Sequence, residues 1–429
     1  MDKVHSLTGR ITSEMMQKAF RNVKRNRGKA GVDKVSIEMF EANLEQNLVA
    51  LMRKLKEDTF QPKPVRRAYI PKDKTTKRPL GIPCVRDRVA QDVMRQLLEP
   101  IFTPNFHKHS FGFIRGRNCH QAIEQLRMFK SLGLTWVVDA DIEKFFDNIP
   151  HALIMRLLAG RVADGNILRL VERFLKAGVM EHQQIRPTAK GTPQGGLISP
   201  LLANVVLDVL DQRLARENVA FVRYADDMVA ICQTQASAER ALAVTRSVIE
   251  DEMGLKLHPT KTKVVRYSSG FDFLGFHICS HGIRMRDKAV ERFKTKIRDL
   301  TVRSHNLDTE KVEAINRVIR GTVNYYGASF ATVITQFLTL DRWIRTRCRC
   351  MRYKRIWKTD RRRLRNKHIR RRGLVGCSEV HNLVRKRSIR PPDRGQFHGD
   401  RPVRETRMLG NAGNQPRCDN GKGVAKATS

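Results

Sequence analysis

The segment Phe221 to Ile231 limits what this chain can fold into more than any other, because two β-rich runs flank Ala225-Asp226-Asp227. Phe221-Val222-Arg223-Tyr224 and Met228-Val229-Ala230-Ile231 read as strands, and the hairpin they form puts two adjacent carboxylates at its tip. Adjacent acids repel one another and lose by burial, so their natural partner is a divalent cation, and all-oxygen ligands favour Mg²⁺. Alone, the pair is better read as an Asp-rich turn. It is not alone: Trp136-Val137-Val138-Asp139-Ala140-Asp141 is a second strand running into acids, followed by Glu143 and Asp147. Two strands that deliver carboxylates to one point hold two Mg²⁺ about 3.5–4 Å apart, an arrangement suited to in-line phosphoryl transfer. Asp139 and Asp141 share a strand face, and pattern alone does not choose between them.

The charge balance points the same way. With 82 Lys+Arg against 43 Asp+Glu, the formal net charge of +39 calls for a polyanion. A membrane protein needs an apolar stretch of roughly 20 residues, and the sequence contains none. The polar N-terminal segment has no apolar signal core, so the protein is expected to stay where it is made, in the cytoplasm or nucleoid. The eight cysteines lie far apart and read as reduced thiols. Cys348-Arg-Cys350, with His368, Cys377 and His381 downstream, lacks the two tight pairs of a structural zinc site.

At 429 residues the chain has room for two or three cooperating units. Residues 12 to 27 read as a basic helix carrying Arg21, Lys24 and Arg25. From Ser36 as N-cap, Phe40, Leu44, Leu48, Leu51 and Leu55 recur at the spacing of one core-facing helix. Tyr69-Ile70 and Leu80-Gly81-Ile82 read as a hairpin around the basic turn Pro71 to Arg78, and Lys263-Val264-Val265 as a further strand. A Gly-rich turn at 195–196 precedes a helix with Ser199 as N-cap and Pro200 at its first position. The middle of the chain is therefore mixed α and β. After about residue 283 the pattern is helical: Val290 to Thr301, Lys311 to Tyr325 and Phe330 to Arg352. Between Arg342 and Arg372 Asp360 is the only acid, a density of positive charge that favours nucleic-acid contact over a solvated face. Beyond Gly373 a weakly ordered tail is expected.

Several motifs stand in a telling order: Asp141, Lys190-Gly191-Thr192-Pro193-Gln194-Gly195-Gly196-Leu197-Ile198-Ser199-Pro200-Leu201-Leu202, Tyr224-Ala225-Asp226-Asp227, Lys261-Thr262 and Phe273-Leu274-Gly275-Phe276. Over roughly residues 15 to 370 the chain resembles the group II intron-encoded branch of the reverse transcriptases. The resemblance implies an α+β right-hand polymerase whose fingers and palm (31–282, with an antiparallel sheet) follow a basic N-terminal extension (1–30). An α-helical thumb or maturase domain X (283–372) and a basic tail (373–429) complete it.

The resemblance also implies roles. Asp141 and Asp226 match the essential metal ligands and Asp227 the supporting carboxylate, the three forming the catalytic set. Phe146 matches a steric gate against a 2′-hydroxyl, and Gln194 a nucleotide contact. Lys72 and Arg78 match the clamp on the triphosphate, and Lys261 the lysine that protonates departing pyrophosphate. RNA contacts are expected from Arg21, Lys24 and Arg25, from Arg115 and Arg117 in the insertion Phe106 to Ala122, and from Arg345, Arg349 and Arg352.

The implied activity is RNA-directed DNA synthesis with two Mg²⁺, Mn²⁺ serving as a substitute, copying intron RNA into cDNA and assisting its splicing. The implied partners are structured group II intron RNA, a DNA target or primer and dNTPs, in a bacterial ribonucleoprotein; a homodimer is left open. The sequence has none of the paired cysteines and clustered histidines of an HNH nuclease, so second-strand cutting by this chain is not expected and the primer would come from nicked or replicating DNA. Two alternatives stand beside this reading: a defence or repair reverse transcriptase derived from the family, and an RNA-binding maturase without polymerase activity.

Overall fold

The computed structural model of the chain describes residues 3–71, 76–182, 184–192, 195–355 and 357–389. In chain order its strands are β1 (Val65–Pro71), β2 (Lys77–Ile82), β3 (Trp136–Ala140), β4 (Val179–Glu181), β5 (Gln184–Arg186), β6 (Ala220–Tyr224), β7 (Asp227–Cys232), β8 (Lys263–Arg266), β9 (Phe271–Phe273), β10 (Phe276–Cys279) and β11 (Gly282–Met285). They pair as three sheets, β2-β1-β4-β5, β6-β7-β3-β8 and β11-β10-β9.

Alternation along the strands explains the central sheet β6-β7-β3-β8, which is antiparallel throughout. Val138, Ala140, Phe221, Met228 and Ala230 enter one core, shared with the helices Val85–Phe102 and Ser199–Arg216. Val137, Val222, Val229 and Ile231, one residue out of step, enter a second core with Tyr267, Phe271 and Phe276. Successive side chains on a strand point to opposite faces, so a sheet covered on both sides reads as continuous Val/Ile runs rather than as apolar-polar alternation. The strands β1 and β2 pair as the antiparallel hairpin expected from the sequence, with Pro71, Lys77 and Arg78 inside the strands rather than in the turn, and β1 also runs parallel to β4; residues 72–75 between them lie outside the described residues.

A third core is helical. Helices Asp287–Leu300, Thr309–Tyr326, Ile334–Tyr353 and Cys377–Ile389 meet through Phe293, Ile297, Ile315, Ile319, Phe337, Ile344, Cys348, Met351 and Cys377. Met1–Arg385 form one compact unit; of a second, Lys386–Ser429, only the end of the last helix lies among the described residues. Among the described residues no helix is long and apolar enough to cross a membrane.

Three local expectations are corrected. The single helix expected from Ser36 is two, Ile37–Glu41 and Leu44–Lys56, because Asn43 leaves helical geometry (φ −125°, ψ 44°); Ser36 does cap the first, its Oγ accepting from Met39 N at 3.2 Å. Ser199 is the first residue of its helix and not its cap, since Ile198 is already helical and its carbonyl accepts from Leu201 and Leu202. The segment after Gly373 carries the helix Cys377–Ile389. Its first turn is capped by the buried Asp341, whose carboxylate accepts from Cys377 N at 2.5 Å and from Ser378 Oγ at 2.5 Å. A cap supplied from 36 residues upstream leaves no local pattern. The rest of the tail, 390–429, lies outside the described residues.

Candidate active site

Register brings the acids together. β3 pairs with β7 as far as Ala140↔Met228, and continuing one step sets Asp141 opposite Asp227. On its other side β3 pairs with β8 as far as Asp139↔Lys263, and two further steps set Asp141 opposite Lys261. Alternation puts all three on the face that holds Val137, Val229 and Val265, so three neighbouring chain segments present Asp227, Asp141 and Lys261 in a row. Lys261 Nζ donates to Asp141 Oδ2 at 2.6 Å. His258 N donates to Asp141 O at 2.7 Å and ties the Lys261 loop to the end of β3.

The pair Tyr224↔Asp227 closes β6 onto β7, leaving Ala225 and Asp226 as the turn, with Ala225 in the left-handed region (φ +57°). Beneath it lies an ion pair that sequence inspection passes over. Arg223, fully buried, donates from Nε to Asp211 Oδ1 at 2.7 Å and from Nη2 to Asp211 Oδ2 at 2.5 Å. Its Nη1 donates to Asn204 Oδ1 and to Ala225 O, each at 3.0 Å. Asn204 Nδ2 in turn donates to Gly112 O at 2.9 Å, and Gly112 lies so close that a Cβ there would come within 2.2 Å of Ala225 N. The available signal was alternation: Arg223 occupies a strand position that should hold a core residue.

The acids are short of positive charge. Asp227 is exposed as a residue, yet crowding of its carboxyl by surrounding protein and then the carboxylates of Asp226 and Asp141 push it up to about 6; Arg286 and Lys261 oppose this. Burial raises Asp226, with Arg78 and Asp141 acting on it in opposite senses. Asp139 is raised to about 6, first by burial, with Lys263 opposing. Among the described residues no three Asp, Glu, His or Cys side chains converge closely enough to grip a metal ion, Asp141 being turned onto Lys261. The donor chemistry fits a hard divalent cation nonetheless. It consists of carboxylate oxygens from adjacent strands, two of them raised by the surrounding protein and by their neighbours, which a divalent charge would relieve.

The remaining candidates fall into three groups. Phe146 is half-buried, its carbonyl accepting from Thr192 N at 2.7 Å, while its neighbour Phe145 is core. Arg78 is exposed on β2 and acts electrostatically on Asp226. Lys72 and Gln194 lie outside the described residues.

Of the expected RNA contacts, Arg21, Lys24, Arg25, Arg115 and Arg352 are exposed, with Lys24 ion-paired to Glu41 at 2.5 Å. Arg117 and Arg349 turn their guanidinium groups inward. Arg117 donates to the carbonyls of His107 and Ser110 at 2.6 and 2.5 Å; Arg349, 8% exposed, donates to Leu364 O and Asn366 Oδ1 at 3.0 and 2.8 Å. Arg345 is half-buried in a cleft of about 610 Å³ lined also by Arg342, Trp343, Arg361 and Arg365.

Comparison with known proteins adds two matches along the chain. Residues 70–278 match the family "Reverse transcriptase (RNA-dependent DNA polymerase)" and residues 290–373 match "Group II intron, maturase-specific domain". Protein YkfC of Escherichia coli K12 is 36% identical over 286 residues, 58% of this chain and 75% of YkfC. Group II intron-encoded protein LtrA of Lactococcus lactis subsp. cremoris is 36% identical over 212 residues, 49% of this chain and 35% of LtrA. A 91 kDa protein in the cob intron of Schizosaccharomyces pombe is 28% identical over 389 residues, 69% of this chain and 48% of that protein. The chain thus matches three quarters of one relative and half or less of the other two.

Proposed function

The chain belongs to the reverse transcriptases that carry a group II intron maturase-specific domain, and on that premise we propose that it copies RNA into DNA at the Asp141, Asp226 and Asp227 site and binds group II intron RNA through its helical region. Polymerases of this family work with divalent metal ions. Our reading is two Mg²⁺, with Mn²⁺ a substitute, held by Asp141 and Asp226 with Asp227 in support. Bound there, the ions supply charge neutralisation at the attacking and departing oxygens of an in-line displacement.

The chain's own residues do the positioning. The register of β3 between β7 and β8 fixes where Asp141 meets the turn, and Arg223 fixes the turn from below. Lys261 holds the Asp141 carboxylate in the free protein; carried over from the family, it is also the acid for the pyrophosphate leaving group. Phe146 screens the sugar of the incoming nucleotide, and Arg78, with Lys72, takes the triphosphate. The maturase role rests on the matched segment 290–373 and on a helical surface dense in arginine, which grips structured RNA through phosphate charge and shape. The product is cDNA of the bound intron, made on a DNA primer within a ribonucleoprotein.

The observation that carries the polymerase reading is the convergence of Asp141 with the Asp226-Asp227 turn at one end of one sheet. The test is primer extension on an RNA template with dNTPs and Mg²⁺, beside splicing of the cognate intron RNA. Asp226→Asn is expected to lower kcat by about 10²–10³-fold or more, as for other lost groups that stabilise transition-state charge, while splicing persists. Extension at the wild-type rate by Asp226→Asn would overturn the assignment; loss of splicing with extension would merge the two functions into one site.

A further inference from the structure

Phe113 is out of place for an aromatic residue. It lies between the buried Gly112 and the buried Ile114, yet it is 55% exposed, and its backbone sits in the left-handed region at φ +59°. A bulky side chain at positive φ is strained and persists only where its surroundings hold it there. Here the surroundings do so: Phe111 N donates to Arg223 O at 2.8 Å, and Asn204 Nδ2 donates to Gly112 O at 2.9 Å. Gly112 itself touches the backbone of Tyr224 and Ala225. The hydrogen bonds that hold the acidic turn therefore also hold an exposed phenyl ring beside it.

Among the described residues no aromatic or cationic side chain packs on that ring, which stays 55% exposed. Consecutive Cα atoms are about 3.8 Å apart, so Phe113 stands within about three stacked bases of the Ala225-Asp226 turn. The residue after Ile114 is Arg115, also exposed, a cation suited to a neighbouring phosphate. An exposed ring with a cation two residues on, held against the point where a primer terminus has to lie, is the arrangement of a nucleobase platform.

We propose that Phe113 stacks on a base at the terminal pair of the primer–template duplex, making it a positioning residue that seats the primer end against Asp226. The inference rests on the polymerase reading for the place of the primer, and it adds a residue to which no role has been assigned. The strain then has a use: a ring presented in advance loses little freedom on binding.

The experiment uses the full chain and a primer–template carrying 2-aminopurine, in one arm at the primer terminus and in the other at its template partner. Binding of wild type should change the emission in at least one arm without metal or turnover. Phe113→Asn, which keeps a residue tolerant of left-handed backbone, should abolish that change and weaken duplex binding by about 5- to 100-fold, the range for losing one stacked base. Phe113→Tyr should keep both, and Phe113→Gly, free of strain at this φ, should repeat the Asn result. An Asn variant that matches wild type in both arms and in affinity would overturn the proposal. A wild type that binds with the emission change but never extends the primer would instead overturn the polymerase reading, so the two failures are distinguishable.

Discussion

Removing the Arg223 side chain tests how much of the site depends on what lies under it. Arg223 and Asp211 are 1% and 0% exposed at the side chain, and the guanidinium serves Asp211 twice, Asn204 once and Ala225 O once. Arg223→Met keeps much of the volume but strands the Asp211 carboxylate in the core. Breaking a buried pair from one side costs about 3–5 kcal/mol, most of it the uncompensated charge that remains. The double variant Arg223→Met/Asp211→Leu removes that charge, and replacing both members of a buried pair with apolar groups is often neutral or better. Stability measured by urea unfolding should therefore fall in the single variant and largely return in the double.

Polymerase activity should not return with it, because neither variant restores the donor to Ala225 O, and a displacement of about 1 Å at reacting groups costs on the order of 10²-fold. Primer extension by the double variant at equal folded concentration is the deciding assay. A double variant that recovers both stability and full kcat would refute the claim that Arg223 positions the turn and would leave it a folding residue only.

Three further outcomes are expected. Gly112→Ala puts a Cβ 2.2 Å from Ala225 N and 2.8 Å from Tyr224 C, so it should cost about 1–3 kcal/mol of stability and lower kcat, read by the same two assays. Burial, reinforced by the charges of His107, Lys108 and Arg117, lowers His109 from 6.5 to about 4. Its protonation therefore favours the unfolded chain, so stability should be level above about pH 6.5 and decline as pH falls toward 4. His109→Phe keeps the ring packing on Phe129 and Phe221 and should flatten that decline; an unchanged pH slope in urea midpoints would count against it. Phe146→Ala should reduce discrimination between dNTP and NTP in kcat/KM by about 10- to 100-fold, while an unchanged ratio would return Phe146 to a packing role.

The two acidic strand ends and the helical character of the region after residue 283 were legible in the sequence because both are local patterns. Strand propensity brackets Asp141 and Asp226-Asp227, and charge accumulates along helices. The net charge of +39 likewise needs no fold to imply a polyanionic partner. What only the tertiary structure decided depends on residues far apart in the chain.

Register selects Asp141 over Asp139 as the residue facing both Asp227 and Lys261, although the two acids are indistinguishable in strand pattern. The Arg223 pairing with Asp211, the Gly112 contact on the turn and the Asp341 cap on the helix from Cys377 are meetings across helices and loops; alternation marks the Arg223 position as buried, but no periodicity names its partner or announces the other two. The same holds for Arg117 and Arg349. Composition marks them as cations for RNA, but backbone carbonyls brought close by the tertiary structure accept from their guanidinium groups, so that donors and acceptors satisfy one another.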